Sequence, residues 1–265
     1  MPRILVTNDD GVDSPLLPPL VRALQELGDV TVVVPHIERS WVGKSISRFD
    51  VIKVENVERA GLPMMTATGT PADCASLAIH TLFDSRPDLV VSGINLGLNF
   101  GLAFLLSSGT VGAAIEASIA GVPALAFSMA LPRDAYGLSG DDRVQALGDR
   151  PERAAAVAAD ISASFLRHGM PAHVDCISVN MPADVRRDSP RAIATVTRTR
   201  YGLLFAPADG GYRHRFSGLS IDDREDGDVA AVSRGAVAIS PVRFELSTRL
   251  PQELERELTE MKNAQ

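Results

Sequence analysis

The sequence predicts an α/β fold: a Rossmann-like, mostly parallel sheet with helices on both faces, followed by a smaller β-rich C-terminal region and a C-terminal helix. Three observations carry this. Over the first 130 residues, short apolar or β-branched runs alternate with segments of helical period, joined by brief turns, as in successive βαβ units. Residues 89–94 read as an apolar run broken only by Ser92, as suits a central strand covered on both faces. At 265 residues, 45% hydrophobic and 22% charged, the chain suits one large domain or a core with an appendage.

The elements follow in order. Residues 4–7 form the first strand. Ser14 and Pro15 read as N-cap and first helical position, with Leu17, Leu20, Val21, Leu24 and Leu27 at helical spacing and Gly28 as the stop. Residues 30–34 are a second strand ending at Pro35, and 51–57 are β-rich. Thr70-Pro71-Ala72-Asp73 resembles a capping box and opens a helix reaching about Ser85, with Leu77, Ala78 and Leu82 on its buried stripe. After the strand at 89–94 come a helix at 111–120, stopped by Gly121 and Pro123, and a strand at 124–127. A polar stretch, 132–150, leads to an alanine-rich helix at 151–167 and a strand at 174–179. Residues 192–200 alternate as a strand does, 207–228 are rich in Gly, Asp and Arg, 236–239 are a short strand, and 251–265 form an exposed helix suited to docking on another subunit. This places a catalytic core at 1–182 and a β-rich appendage and tail, devoted to oligomerisation, at 183–265.

Composition narrows the function. With 26 Lys and Arg against 33 Asp and Glu, the net charge of −7 is opposite to that of a general nucleic-acid binder, so polymeric DNA or RNA is not an expected partner. No apolar run is long enough to span a membrane and the N-terminal residues lack a signal-peptide profile, so neither a membrane nor secretion is expected and the cytoplasm is the expected location. Cys74 and Cys176 lie outside any CxxC or Cys/His cluster and read as two buried thiols. The five histidines are scattered, and His36, just past a strand end, is the one placed near the expected site.

Three motifs fall where strands end, the edge at which open α/β sheets bind ligands. Asn8-Asp9-Asp10-Gly11 follows the first strand. Adjacent carboxylates hold protons or bind a cation, and hard divalent ions favour such oxygens, although the same residues also suit a plain turn. Ser92-Gly93-Ile94-Asn95-Leu96-Gly97-Leu98-Asn99 brings Asn95 to the same edge, where its carbonyl could complete an oxygen shell. Its glycines match neither the dinucleotide fingerprint nor a P-loop. Ser107-Ser108-Gly109-Thr110 precedes a helix whose free N–H groups suit an anion, with Thr110 equally readable as an ordinary N-cap. Between the second strand and the next element, Arg39, Lys44 and Arg48 suit a solvated loop or a phosphate, Ser40 offers an oxygen to a metal, and Trp41 either packs or stacks on a base.

These residues resemble the SurE family of stationary-phase survival proteins, metal-dependent nucleoside monophosphate phosphatases. The matching stretches are Ile4 to Gly11, Arg39-Ser40, Gly69-Thr70-Pro71-Ala72-Asp73-Cys74, Ser92-Gly93-Ile94-Asn95 with Gly97 and Asn99, and Ser108-Gly109-Thr110-Val111 with Ala113, Ala114 and Glu116. Weaker echoes run through Val179-Asn180-Met181-Pro182 and Thr199-Arg200-Tyr201-Gly202 to Ile239-Ser240-Pro241. The resemblance implies one divalent ion per subunit, Mg²⁺ or Mn²⁺, at Asp9, Asp10, Ser40 and Asn95. It implies hydrolysis of 5′- or 3′-nucleotides, with some acceptance of other phosphate esters, Asp9 and Asp10 catalytic, and Asn99, Ser108, Gly109 and Thr110 positioning the phosphate. The resemblance leaves open whether a carboxylate or water attacks, and the reading favoured here is a metal-activated water oriented by Asp9. It further implies a homodimer or homotetramer with exchanged C-terminal segments. The chain departs from the family pattern at Trp41 and at Ala117, where glycine is usual, and over 100–107, which lacks the usual acidic residue and tyrosine. That last departure motivates a rival reading, nucleotide or metal binding with little turnover. A nicotinamide-dependent oxidoreductase, the third reading, lacks a GxGxxG run after the first strand.

Overall fold

The computed structural model describes residues 1–222, 224–245 and 247–260. Its frame is a nine-stranded sheet, with strands and helices numbered in chain order. Strands β4 (Leu62–Ala67), β2 (Asp29–Pro35), β1 (Arg3–Thr7), β5 (Leu89–Leu96), β6 (Ala124–Met129) and β7 (Cys176–Met181) lie side by side and parallel, in register Ile4 on Val30, Ile4 on Leu89 and Leu125 on Ile177. An antiparallel strand, β3 (Val54–Arg59), closes the edge beside β4. At the other edge β11 (Val237–Val242) runs antiparallel to β7 and carries β8 (Arg191–Ile193). The sheet therefore takes in two strands from beyond residue 182. Strands β9 (Thr199–Ala208) and β10 (Gly211–Ile221) form a separate antiparallel hairpin.

Strand alternation sorts the core onto two faces. Ile4 and Val6 of β1 pack with Leu17, Leu20 and Leu24 of α1 (Leu17–Gln25) and with α6 (Arg150–His168). Leu5 points the other way, toward α2 (Pro71–Leu77) and α4 (Gly109–Ile119) through Cys74, Val111 and Ala114. Both cysteines are buried free thiols, and burial pushes both above the usual thiol range, Cys176 to about 12. No single described helix is long and apolar enough to cross a membrane.

Several boundaries differ from expectation. Helix α1 starts at Leu17, not at Pro15, and Ser14 does not cap it: Pro18 and Pro19, which lack N–H groups, occupy the first turn, where those donors would be unpaired anyway. The expected capping box at Thr70 and Asp73 is formed, but its α-helix runs only to Leu77 and continues as a π-turn, Ala78–Leu82. Ser108, not Thr110, caps α4, accepting from the Val111 N–H at 3.1 Å. Sequence patterning missed β4, whose run contains Pro63 and two methionines, and the helices α3 (Gly101–Ser107), α5 (Gly140–Leu147) and α7 (Asp228–Ser233). The Gly- and Arg-rich stretch after 207 contains β10. The C-terminal helix α8 covers Gln252–Glu260, and the remainder of the expected 251–265 helix lies outside the described residues.

Candidate active site

The chain leaves β1 toward β2 on one side and returns to β5 on the other, so the crevice between the carboxyl ends of β1 and β5 is the topological switch point. Both acid residues sit there. The Asn8 amide brackets the turn after β1, donating to the Gly11 carbonyl at 2.9 Å and accepting from the Gly11 N–H at 3.1 Å. This turn presents Asp9 to α4: one carboxylate oxygen accepts from the Thr110 N–H at 3.0 Å and the other from the Thr110 hydroxyl. Gly109 makes room for that approach, since a Cβ there would lie 2.8 Å from the Asp9 Cβ. Asp10 accepts from the Leu96 N–H at 3.1 Å, so the end of β5 fixes the second acid.

Strand β5 aims its own ligand by breaking register. The pairing with β6 shifts between Ser92 and Asn95, and Gly93 sits at φ +125° with its would-be Cβ 2.3 Å from the Phe127 carbonyl oxygen, a place no other residue can occupy. The Asn95 amide donates to the Gly97 carbonyl at 2.6 Å, which leaves its carbonyl oxygen as the group to offer a cation. The loop after β2 is pinned against the acid turn by the Arg39 N–H on the Asp9 carbonyl at 2.7 Å. Its Ser40 hydroxyl donates to Glu38 at 2.6 Å.

Asp9, Asp10, Ser40 and Asn95 thus line one cavity of about 340 Å³, together with Asn99 and Ser108. Glu38, Arg143, Trp41 and Phe104 complete the walls that matter for the chemistry. Burial drives the Asp9 carboxyl above its ordinary range, against the opposing pull of its two hydrogen bonds from Thr110. Burial also lifts Asp10, to about 7, helped by the Asp9 charge and opposed by the Leu96 N–H and Arg143. Two neighbouring acids pushed toward neutrality, one buried and one half-buried, are what a compensating cation would reverse. Among the described residues no group of three or more His, Cys, Asp or Glu forms a metal cluster. The donor set here is two carboxylates, a hydroxyl and an amide carbonyl, all hard oxygens, which suits a Mg²⁺-like ion that keeps part of its water shell and does not suit a soft thiolate or imidazole metal.

The remaining expected residues divide. Asn99 faces the cavity, with its backbone N–H donating to the side-chain amide oxygen of Asn180 at 2.8 Å and its side-chain amide donating to the Ser128 hydroxyl at 2.8 Å. Thr110 spends both its N–H and its hydroxyl on Asp9 and does not line the cavity. Lys44 pairs with Glu116 at 2.7 Å, Arg39 donates to the Thr68 carbonyl at 2.9 Å, and Arg48 lies over the Phe49 ring, so the loop cations are engaged away from the acid pair. The His36 ring contacts the Ala67 carbonyl at 3.2 Å instead of the cavity. Sequence reasoning missed Glu38 and Arg143 in the walls, and Asn180, Ser128 and Asp228 behind them. Asp228, fully buried, accepts from the N–H groups of Gly101, Thr197 and Val229 at 2.7, 3.0 and 2.8 Å and so anchors the start of α3. Two of these carried a usable signal: Glu38, as a third acid two residues before Ser40, and Asn180, in the family-like stretch Val179-Asn180-Met181-Pro182.

Trp41, the departure from glycine, keeps a glycine-like backbone at φ +61°, a conformation that costs a non-glycine residue roughly 1 kcal/mol. Its indole packs among Phe104, Tyr201, His214 and Phe216. The Tyr201 hydroxyl meets the Ala103 carbonyl and the Ser107 hydroxyl, tying the β9–β10 hairpin to α3.

Similarity to known proteins agrees with this geometry. A family model described as survival protein SurE matches residues 4–203. A 5′-nucleotidase SurE of Methanosarcina acetivorans is 35% identical over 254 residues, covering 94% of each chain. One of Methanoculleus marisnigri is 37% identical over 251 residues, covering 92% of each. The crystal structure of a SurE protein from Aquifex aeolicus superimposes with a TM-score of 0.73 at 29% identity, covering 97% of this chain and all of that one. The acid pair at the switch point and these likenesses along the chain lead to one conclusion: the protein belongs to the SurE family.

Proposed function

We propose that this chain is a phosphatase of nucleoside 5′-monophosphates, with 3′-monophosphates as further substrates, and that one divalent cation, Mg²⁺ or Mn²⁺, is held by Asp9, Asp10, Ser40 and Asn95. The observation that carries the reading is the meeting of the buried Asp9 carboxylate and the half-buried Asp10 carboxylate with a hydroxyl and an amide carbonyl, from three separate segments, around one cavity. The nucleotidase name borne by relatives along nearly the whole chain supports the substrate class. A bound cation supplies Lewis-acid polarisation of the phosphoryl oxygen and brings water into its reactive range.

The chain's own residues divide the other tasks. Asp9, held on both oxygens by Thr110, orients the attacking water along a fixed direction. The Ser108 oxygen accepts from Val111, so its hydroxyl proton is left to donate to a phosphate oxygen, beside the Gly109 N–H at the start of α4. Asn99, braced by Ser128 and Asn180, borders the same anion, and Arg143 offers positive charge against its developing negative charge. Thr110 acts through Asp9 and not on the phosphate. Assembly into a homodimer or homotetramer is part of the reading, supported by exposed apolar residues on the hairpin and α8, such as Leu203, Phe205 and Leu258. The test is phosphate release from AMP with Mg²⁺ or Mn²⁺. Release that a chelator abolishes and fresh cation restores is expected, whereas AMP binding without release would establish the non-catalytic rival.

A further inference from the structure

The cavity has an aromatic side that phosphate chemistry leaves unused. Trp41 and Phe104 line it together with the acid pair, Asn99 and Ser108. Trp41 is enclosed by four rings, with centroids at 5.8 Å for Phe104, 5.5 Å for Tyr201, 4.7 Å for His214 and 6.4 Å for Phe216, yet it remains 41% exposed. None of these rings stacks parallel on the indole: the interplanar angles run from 45° to 69°. The neighbours brace the indole at its edges and at a tilt while part of it stays open. The residue also holds a left-handed backbone that glycine would adopt without strain, in a loop fixed on either side by the Arg39 N–H on the Asp9 carbonyl and the Gly43 N–H on the Ser107 carbonyl.

We propose that Trp41, braced by Phe104 and the β9–β10 hairpin, is the platform on which the nucleobase stacks, making this chain selective for nucleotides over phosphate esters of non-aromatic alcohols. The inference rests on the phosphatase reading above and adds a base subsite to it. Base–aromatic stacking is tolerant of base identity, because every base offers a π-face, so the selectivity is for a base as such and not for one base. The cavity, at about 340 Å³, lies in the range of small-molecule sites.

Trp41 is the only tryptophan in the chain, so its emission reports on this position alone. Adenosine added to the full chain with Mg²⁺ should quench that emission saturably, and ribose should not. In steady state, Trp41→Gly should lower the ratio of kcat/KM for AMP to that for ribose 5-phosphate about 10- to 100-fold, with Trp41→Phe recovering part of it. An unchanged ratio in Trp41→Gly, or adenosine that leaves the emission unaltered, would overturn the base platform while leaving the phosphatase reading intact. If neither ester releases phosphate, the phosphatase reading fails. Saturable quenching by adenosine would then still support the platform, and its absence would remove both.

Discussion

The two walls of the cavity are built by different means. On the acid wall, each carboxylate is fixed by a backbone N–H at the end of a regular element, Thr110 at the start of α4 for Asp9 and Leu96 at the end of β5 for Asp10. On the aromatic wall, rings from the loop after β2, from α3 and from the β9–β10 hairpin hold one another by packing. The first kind of wall is set by the sheet and tolerates no change in its reacting groups. The second is adjustable, and substitutions there should be graded and should depend on the substrate.

The largest losses are expected on the acid wall. Asp9→Asn or Asp10→Asn should reduce phosphate release from AMP by about 10³-fold or more while the circular dichroism and melting temperature stay close to those of the parent, because each change is nearly isosteric. Activity near the parent's in either variant would remove that acid from the mechanism. Thr110→Val, which keeps the N–H to Asp9 but deletes the hydroxyl, should lower kcat about 10- to 100-fold with little change in KM. A change in KM alone would instead give Thr110 a direct phosphate contact.

Behind the aromatic wall, Asp228→Ala leaves three N–H groups without their acceptor, among them that of Gly101 at the head of α3. A loss of about 3 kcal/mol in urea unfolding is expected, and a loss below about 0.5 kcal/mol would show that α3 does not depend on this anchor. The smallest effect concerns pH. Asp10 has an ordinary value of 3.8 and is raised to about 7 by burial and by the Asp9 charge, so over that interval the folded cation-free chain holds a proton that the unfolded chain has lost. Its stability should therefore decline as pH rises through this window. Asp9 is raised for the same first cause and adds to the same slope. Unfolding of the chelator-treated protein from pH 4 to 8 measures the decline, which Asp10→Asn should flatten. Stability that rises across the window in the parent would contradict the burial argument.

Much of the acid wall was legible from sequence because short motifs at strand ends map directly onto the carboxyl edge of a parallel sheet. Asn8 to Gly11 and Ser92 to Asn95 needed only the strand before them to be recognised. The aromatic wall was not legible in the same way. It joins residues 41, 104, 201 and 216, which come together only through tertiary packing, and β10 was hidden in a run whose Gly, Asp and Arg residues signal loop. Helix α3 was obscured because Gly101 opens it with no side-chain cap, its support coming instead from the distant Asp228. Arg143 lay in a polar stretch that reads as connection and folds as α5. The exchange of Thr110 for Ser108 as cap of α4 has a similar origin: either hydroxyl could cap the helix, and the decision falls to Asp9, which claims Thr110.

Calorimetric titration of Mn²⁺ into the chelator-stripped protein, repeated on Asp10→Asn and Asn95→Ala, asks whether the ends of β1 and β5 hold one cation between them. One binding event per chain, weakened at least about tenfold in both variants, is the expected result. Absence of uptake by the parent, or uptake of equal affinity in all three proteins, would contradict a cation site shared by the ends of β1 and β5.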